Sequence, residues 1–168
     1  VPTPHRFAAV DTDVLLALEA GDEECQEAID GLKKIGFYCI VTETPLQELA
    51  DICQQGNGED VQIRAKQTLV AITNFGFLSP QLASVQMGVA ERVAHTLIER
   101  CLPGGQLNDG LVVAEAAYQD CRLFITRSPM LLVEARDSLR IALVDHDLSA
   151  VVVTSPAELV EYFKASES

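Results

Sequence analysis

Five short runs in this chain are apolar at nearly every position rather than at alternate ones, and stretches with helical spacing separate them. The runs are His5-Arg6-Phe7-Ala8-Ala9-Val10-Asp11-Thr12, Phe37-Tyr38-Cys39-Ile40-Val41, Leu123-Phe124-Ile125-Thr126, Leu139-Arg140-Ile141-Ala142-Leu143-Val144 and Ala150-Val151-Val152-Val153-Thr154. A strand with one wet face alternates apolar and polar residues; a strand covered on both faces has no reason to. Such runs divided by helices predict an α/β fold, a mostly parallel sheet of about five strands flanked by helices. Sheets of this kind collect their ligands beyond the carboxyl ends of the strands. The polar residues that end three of the runs, Asp11, Thr126 and Asp145, therefore come first as site candidates.

The intervening segments carry helix signals. Val14–Leu18 and a segment from Glu23 to Ile35 follow the first run, divided by Gly21-Asp22. Thr44-Pro45-Leu46-Gln47 opens another helix with a capping residue and a proline suited to the first turn, and places Glu48 near its start. Asn108 is a cap for a helix from Asp109 through Ala117, Met130 to about Ala135 reads as helical, and Ser155-Pro156-Ala157-Glu158 starts the last helix. Glu59–Asn74 and Pro80–Leu102, joined by Gly76-Phe77-Leu78-Ser79, read as an extended helical hairpin insertion, a helical region at 59–102 within one domain spanning 1–168. The stripe Leu82, Val85, Val89, Val93 and Leu97 needs a cover, which a second helix of the chain or a second copy in a homodimer would supply.

Charge narrows the function. The formal net charge is −13, from 25 acidic and 12 basic residues. A chain this acidic repels bulk nucleic acid, so any action on it needs a local basic rim, a basic partner or metal ions. Arg64, Lys66, Arg92 and Arg100 are candidates for such a rim, and Arg127 for steering a phosphate. The five cysteines are scattered without a C-x-x-C pair, which disfavours a disulfide framework or a zinc ribbon. No apolar run is long enough for a membrane helix and no signal pattern stands at the start, so a cytoplasmic location is expected. Neither G-x-x-x-x-G-K-[S/T] nor G-x-G-x-x-G occurs, which argues against the common nucleotide-binding classes.

Asp11, Glu48 and Asp109 each stand at the edge of an apolar segment, where a fold of this class can bring them together. Clustered carboxylate oxygens suit Mg²⁺ or Mn²⁺, whose charge offsets their repulsion. Taken singly, each has an ordinary role: a turn or cap for Asp11, a charge near a helix start for Glu48 and Asp109.

The ordered combination of Val10-Asp11-Thr12-Asp13-Val14-Leu15, Thr44-Pro45-Leu46-Gln47-Glu48-Leu49-Ala50, Asn108-Asp109-Gly110-Leu111-Val112-Val113-Ala114, Phe124-Ile125-Thr126-Arg127-Ser128 and Val153-Thr154-Ser155-Pro156-Ala157-Glu158-Leu159 resembles the PIN-domain family. The resemblance runs over nearly the whole chain. It implies a PIN-like fold, a divalent-metal-dependent ribonuclease acting on RNA, and Asp11, Glu48 and Asp109 as catalytic and metal-holding acids. The family commonly has a further Asp where this chain has Ser128. The hydroxyls of Thr126 and Ser128 could support the site, and Asp13 and Asp145 are nearby acids that could stand in. Many family members are toxins held by a partner, which implies a basic antitoxin-like protein here. Ser128 and the negative balance also fit an alternative, a catalytically weak PIN-like regulatory or protein-interaction module.

Overall fold

The computed structural model describes residues 6–167; His5, with which the first strand was expected to begin, lies outside them. β1 (Arg6–Val10) is followed by α1 (Thr12–Glu19), α2 (Glu23–Lys34), β2 (Phe37–Ile40), α3 (Glu43–Gln55), α4 (Glu59–Asn74), α5 (Ser84–Cys101) and α6 (Leu107–Tyr118). Then come β3 (Cys121–Ile125), a turn of π-helix at Met130–Glu134, α7 (Arg136–Asp145), β4 (Val152–Thr154) and α8 (Pro156–Ser166). The sheet is parallel throughout, with strand order β2-β1-β3-β4.

Among the described residues four strands form where five were expected, because Leu139–Val144 is part of α7. Leu139, Ala142 and Leu143 are buried at helical spacing, while Ile141 and Val144 are 51% and 52% exposed. The run is apolar on two faces, but only one of them packs.

Successive side chains along each strand feed opposite layers. Ala9, Ile40, Phe124 and Val153 join a core built with α5, α6 and α7. Ala8, Val10, Cys39 and Ile125 join a second core built with α1, α2, α4 and α8. This division corrects the expected hairpin: the two helices of 59–102 form, but α4 packs on α3 and α1, and α5 on α6 and α7. Arg64 and Lys66, on α4, are thus carried on a different layer from Arg92 and Arg100, on α5. Within the stripe on α5, Val93 and Leu97 are covered by the chain itself, whereas Val85 is 79% exposed. All five cysteines are free thiols. Among the described residues no helix is long and apolar enough to cross a membrane.

Contact between α5 and α6 is set by Gly110, where an added Cβ would stand 2.7 Å from the carbonyl oxygen of Ala94. Alanine gains about 1 kcal/mol over glycine in a helix, but a clash with backbone that cannot swing aside costs about 1–3 kcal/mol. Gly110→Ala should therefore lower the urea midpoint. Gly88→Ala on α5, where nothing lies within 4 Å of the added carbon, should leave it unchanged or raise it.

Candidate functional site

From β1 the chain moves to β2 on one side, while β3 and β4 extend the sheet on the other, so the crevice between the ends of β1 and β3 is the topological switch point. Asp11 occupies it. Its N–H donates to the carbonyl of Ile125 at 2.9 Å, continuing the ladder one residue beyond β1. Its extended backbone then turns the chain into α1, and its Oδ1 accepts from the Thr12 N–H at 2.8 Å as the helix cap. Oδ2 accepts from the Thr126 hydroxyl at 2.7 Å.

Glu48 reaches the same place from α3. The Thr12 hydroxyl donates to its Oε1 at 3.2 Å. One turn earlier, Thr44 donates its N–H at 3.0 Å and its hydroxyl to the buried carboxylate of Glu115 on α6. Glu115 thereby satisfies an otherwise unpaired amide in the first turn of α3 and fixes the helix that carries Glu48. It was not among the residues the sequence pointed to. Its signal was a lone acid inside the apolar segment Leu111–Ala117.

Asp13, in the first turn of α1, accepts from the Arg127 N–H at 3.1 Å through Oδ2; its Oδ1 is buried and has no hydrogen-bond partner. Asp109 lies in the first turn of α6, which starts two residues earlier than expected. Its Oδ2 folds back to accept from the Gln106 N–H at 2.9 Å. Asp11, Asp13, Glu48 and Asp109 line one cleft of about 260 Å³, with Thr12 and Asn108 beside them and Leu16 and Val112 as an apolar wall.

The remaining candidates separate. Thr126 is buried behind Asp11, and its oxygen accepts from the Ser128 N–H at 3.0 Å. Thr126 and Ser128 buttress Asp11 without lining the cleft. Asp145 was expected at a strand end; it is instead the last residue of α7, in an exposed ion pair with Arg100 at 3.1 Å. Arg127 stands at the rim with a half-exposed guanidinium 3.9 Å from Asp22.

Burial pushes the carboxyls of Asp11, Asp13 and Glu48 upward, and repulsion between acids adds to it at Asp11 and Glu48. Asp11 is raised to about 7, first by burial and then by the charge of Asp13, against the bonds from Thr126 and Thr12. Burial also raises Asp13, opposed by the amide of Arg127. Glu48 is raised by burial first, with the charges of Asp109, Asp13 and Glu115 adding to it against the bond from Thr12. Hard oxygen donors and an orphaned carboxylate oxygen suit Mg²⁺ or Mn²⁺ in donor chemistry. As the side chains stand, no three His, Cys, Asp or Glu among the described residues form a ready ligand set. Asp109 turned to Gln106, and Asp11 held through both oxygens, are consistent with that.

Similar folds occur in solved structures. One is VapBC2 from Rickettsia felis bound to a DNA fragment from its promoter, at 10% identity and a TM-score of 0.61, covering 89% of this chain and 98% of that one. Another is VapBC-5 from Mycobacterium tuberculosis, a member of the VapBC family of toxin-antitoxin systems, at 17% identity and a TM-score of 0.53, with the same coverage. No protein-family model and no curated protein matches the sequence. The likeness is one of fold, and the fold is PIN-like.

A carboxyl raised in the folded state costs no stability below its unfolded value, an increasing amount as pH rises toward the folded value, and its full cost above that. For Asp11 the window runs from the ordinary carboxyl value of 3.8 to about 7, a span equivalent to at most roughly 4 kcal/mol. Asp11→Asn should therefore raise the melting temperature of the metal-free protein at pH 8. The gain should shrink toward zero below pH 4, as read by circular dichroism in the presence of EDTA.

Proposed function

We propose that this chain, as one PIN-like domain, is a cytoplasmic divalent-metal-dependent ribonuclease that hydrolyses RNA phosphodiester bonds. The observation that carries the reading is the convergence of Asp11, Glu48 and Asp109, from three separate segments, on one cleft at the switch point of the sheet. The PIN-like fold and the likeness to VapBC structures support it.

In this reading Asp11 and Asp109 hold Mg²⁺ or Mn²⁺, and Glu48 orients the attacking water or holds a second ion. When bound, the ion supplies Lewis-acid stabilisation of charge on the phosphate and leaving oxygen and makes water more acidic. The chain's own contribution is placement. Thr126 and the Thr12 amide fix the carboxylate plane of Asp11, and the Thr12 hydroxyl sets Glu48 beside it. Asp109 gives Oδ2 to the Gln106 N–H, which leaves Oδ1 as its oxygen for the cation. Water adjacent to Glu48 loses its proton toward a carboxylate whose affinity for protons is already raised.

RNA approaches a chain of net charge −13 only at a cost, which favours a basic partner. A basic antitoxin-like protein is the partner proposed, ahead of a homodimer that would bring two acidic copies together. The rival reading, a regulatory or protein-interaction module with little catalysis, is favoured by two observations: Ser128 outside the cleft and Asp109 committed to its own helix.

Cleavage of a mixed single-stranded RNA pool with Mn²⁺, and with EDTA as control, separates these readings. The ribonuclease reading predicts metal-dependent cleavage that Asp11→Asn, Glu48→Gln and Asp109→Asn each reduce at least roughly 100-fold with the fold retained. Mn²⁺ binding without metal-dependent cleavage would favour the module.

A further inference from the structure

Capping α8 accounts for only part of what Glu158 does. An acid three residues after a capping serine ordinarily folds back on the cap, and Oε1 does accept from the Ser155 hydroxyl at 3.3 Å. Both oxygens also take the fork of Arg136, Nη1 to Oε2 at 2.8 Å and Nη2 to Oε1 at 2.6 Å. The remaining donor of that guanidinium, Nε, reaches the Leu132 carbonyl in the π turn at 2.9 Å. With side chains 34% and 43% exposed, the pair is too wet to count for much as a stabiliser, yet its geometry is bidentate and directed at every nitrogen. Its arrangement is better explained by what it joins.

It joins the two loops that leave the carboxyl ends of β3 and β4, and from there hydrogen bonds run to the cleft without a gap. The Leu132 N–H donates to the Ser128 carbonyl at 3.1 Å, the Ser128 N–H to the Thr126 hydroxyl oxygen at 3.0 Å, and that hydroxyl to Oδ2 of Asp11 at 2.7 Å. On the other side the Glu158 N–H donates to Oγ of Ser155 at 3.1 Å. The carbonyl of Thr154, the residue before that serine, accepts from the Thr126 N–H at 3.0 Å. The circuit closes on Thr126. Its loop also carries the Arg127 N–H to Asp13 at 3.1 Å, so two acids of the cleft take hydrogen bonds from it. A π turn is rare and recurs at functional sites, and here it is the part of the loop that Arg136 grips.

We propose that Arg136 and Glu158 are positioning residues: their ion pair braces the loop after β3 so that the Thr126 hydroxyl orients the Asp11 carboxylate for a divalent cation. The inference rests on the cation reading of the cleft and extends it to two residues outside the cleft. It also gives Ser128 a place in the site. The link there is its backbone, through both N–H and carbonyl, and does not depend on which side chain stands at that position.

Two conservative variants of the full chain test it. Arg136→Lys keeps the charge but cannot make the fork and the Nε bond together, and Glu158→Gln keeps the shape but loses the charge. In the metal-free protein, amide hydrogen exchange read by NMR should quicken about 10-fold or more at Ser128 and Leu132 in either variant, while the amides that pair β1 with β2 keep their wild-type rates. In a titration with MnCl₂ at pH 8, with free Mn²⁺ read by electron paramagnetic resonance, each variant should bind about 3-fold or more weakly, a smaller loss than removing a direct partner of a ligand would cause. The double variant should bind no more weakly than either single one, because the two residues act as a unit. Arg100→Lys, in the exposed pair with Asp145, should alter neither readout. Should Arg136→Lys not fold, Glu158→Gln carries both measurements. Faster exchange with wild-type Mn²⁺ affinity reduces the pair to a brace of the loop alone and overturns the inference. Lower affinity with unchanged exchange overturns it as well, and so do wild-type values of both; in these cases the site on Asp11, Glu48 and Asp109 still stands. A wild-type chain that binds no Mn²⁺ at millimolar concentration overturns the cation reading and this inference with it.

Discussion

The carboxylate of Asp11 joins three parts of the molecule that the rest of the cleft depends on. It caps α1 through Thr12, ties the end of β1 to the end of β3 through Thr126, and stands beside Glu48 through the Thr12 hydroxyl. Burial and neighbouring acids make its charged form unfavourable. Two directed hydrogen bonds do not remove that cost, which still leaves the group raised well above an ordinary carboxyl. In the proposed reading, a divalent cation in the cleft offsets that cost.

Much of this was legible in the residue order. The non-alternating runs at Phe7–Val10, Phe37–Ile40 and Leu123–Ile125 became parallel strands because both faces of the sheet are covered. Ser155-Pro156-Ala157-Glu158 became a helix start with Ser155 accepting from the Glu158 N–H, since that capping chemistry is local. That Asp11, Glu48 and Asp109 would share one cleft was legible because each ends or begins an apolar segment.

What could not be read was decided by packing across the chain. The segment Leu139–Val144 satisfies a strand pattern and a helical one, and only its burial on α5 and β4 selects the helix. With that strand gone, Asp145 lost its place at a strand end. The separation of α4 from α5 depends on which face of the sheet each reaches, and a stripe of apolar residues carries no information about that. Glu115 was hidden because its partner, Thr44, lies 71 residues away. The orphaned oxygen of Asp13 exists only once the loop bearing Arg127 is in place.

The central claim is that these acids surround one divalent cation at the junction of β1 and β3. Anomalous diffraction from crystals soaked in Mn²⁺ tests it most directly. The account predicts at least one strong peak in the cleft, about 2 Å from an oxygen of Asp11 and from at least one further carboxylate among Asp13, Glu48 and Asp109. A fully soaked crystal with no peak there, or with Mn²⁺ only beside other acids such as Glu43, would contradict it.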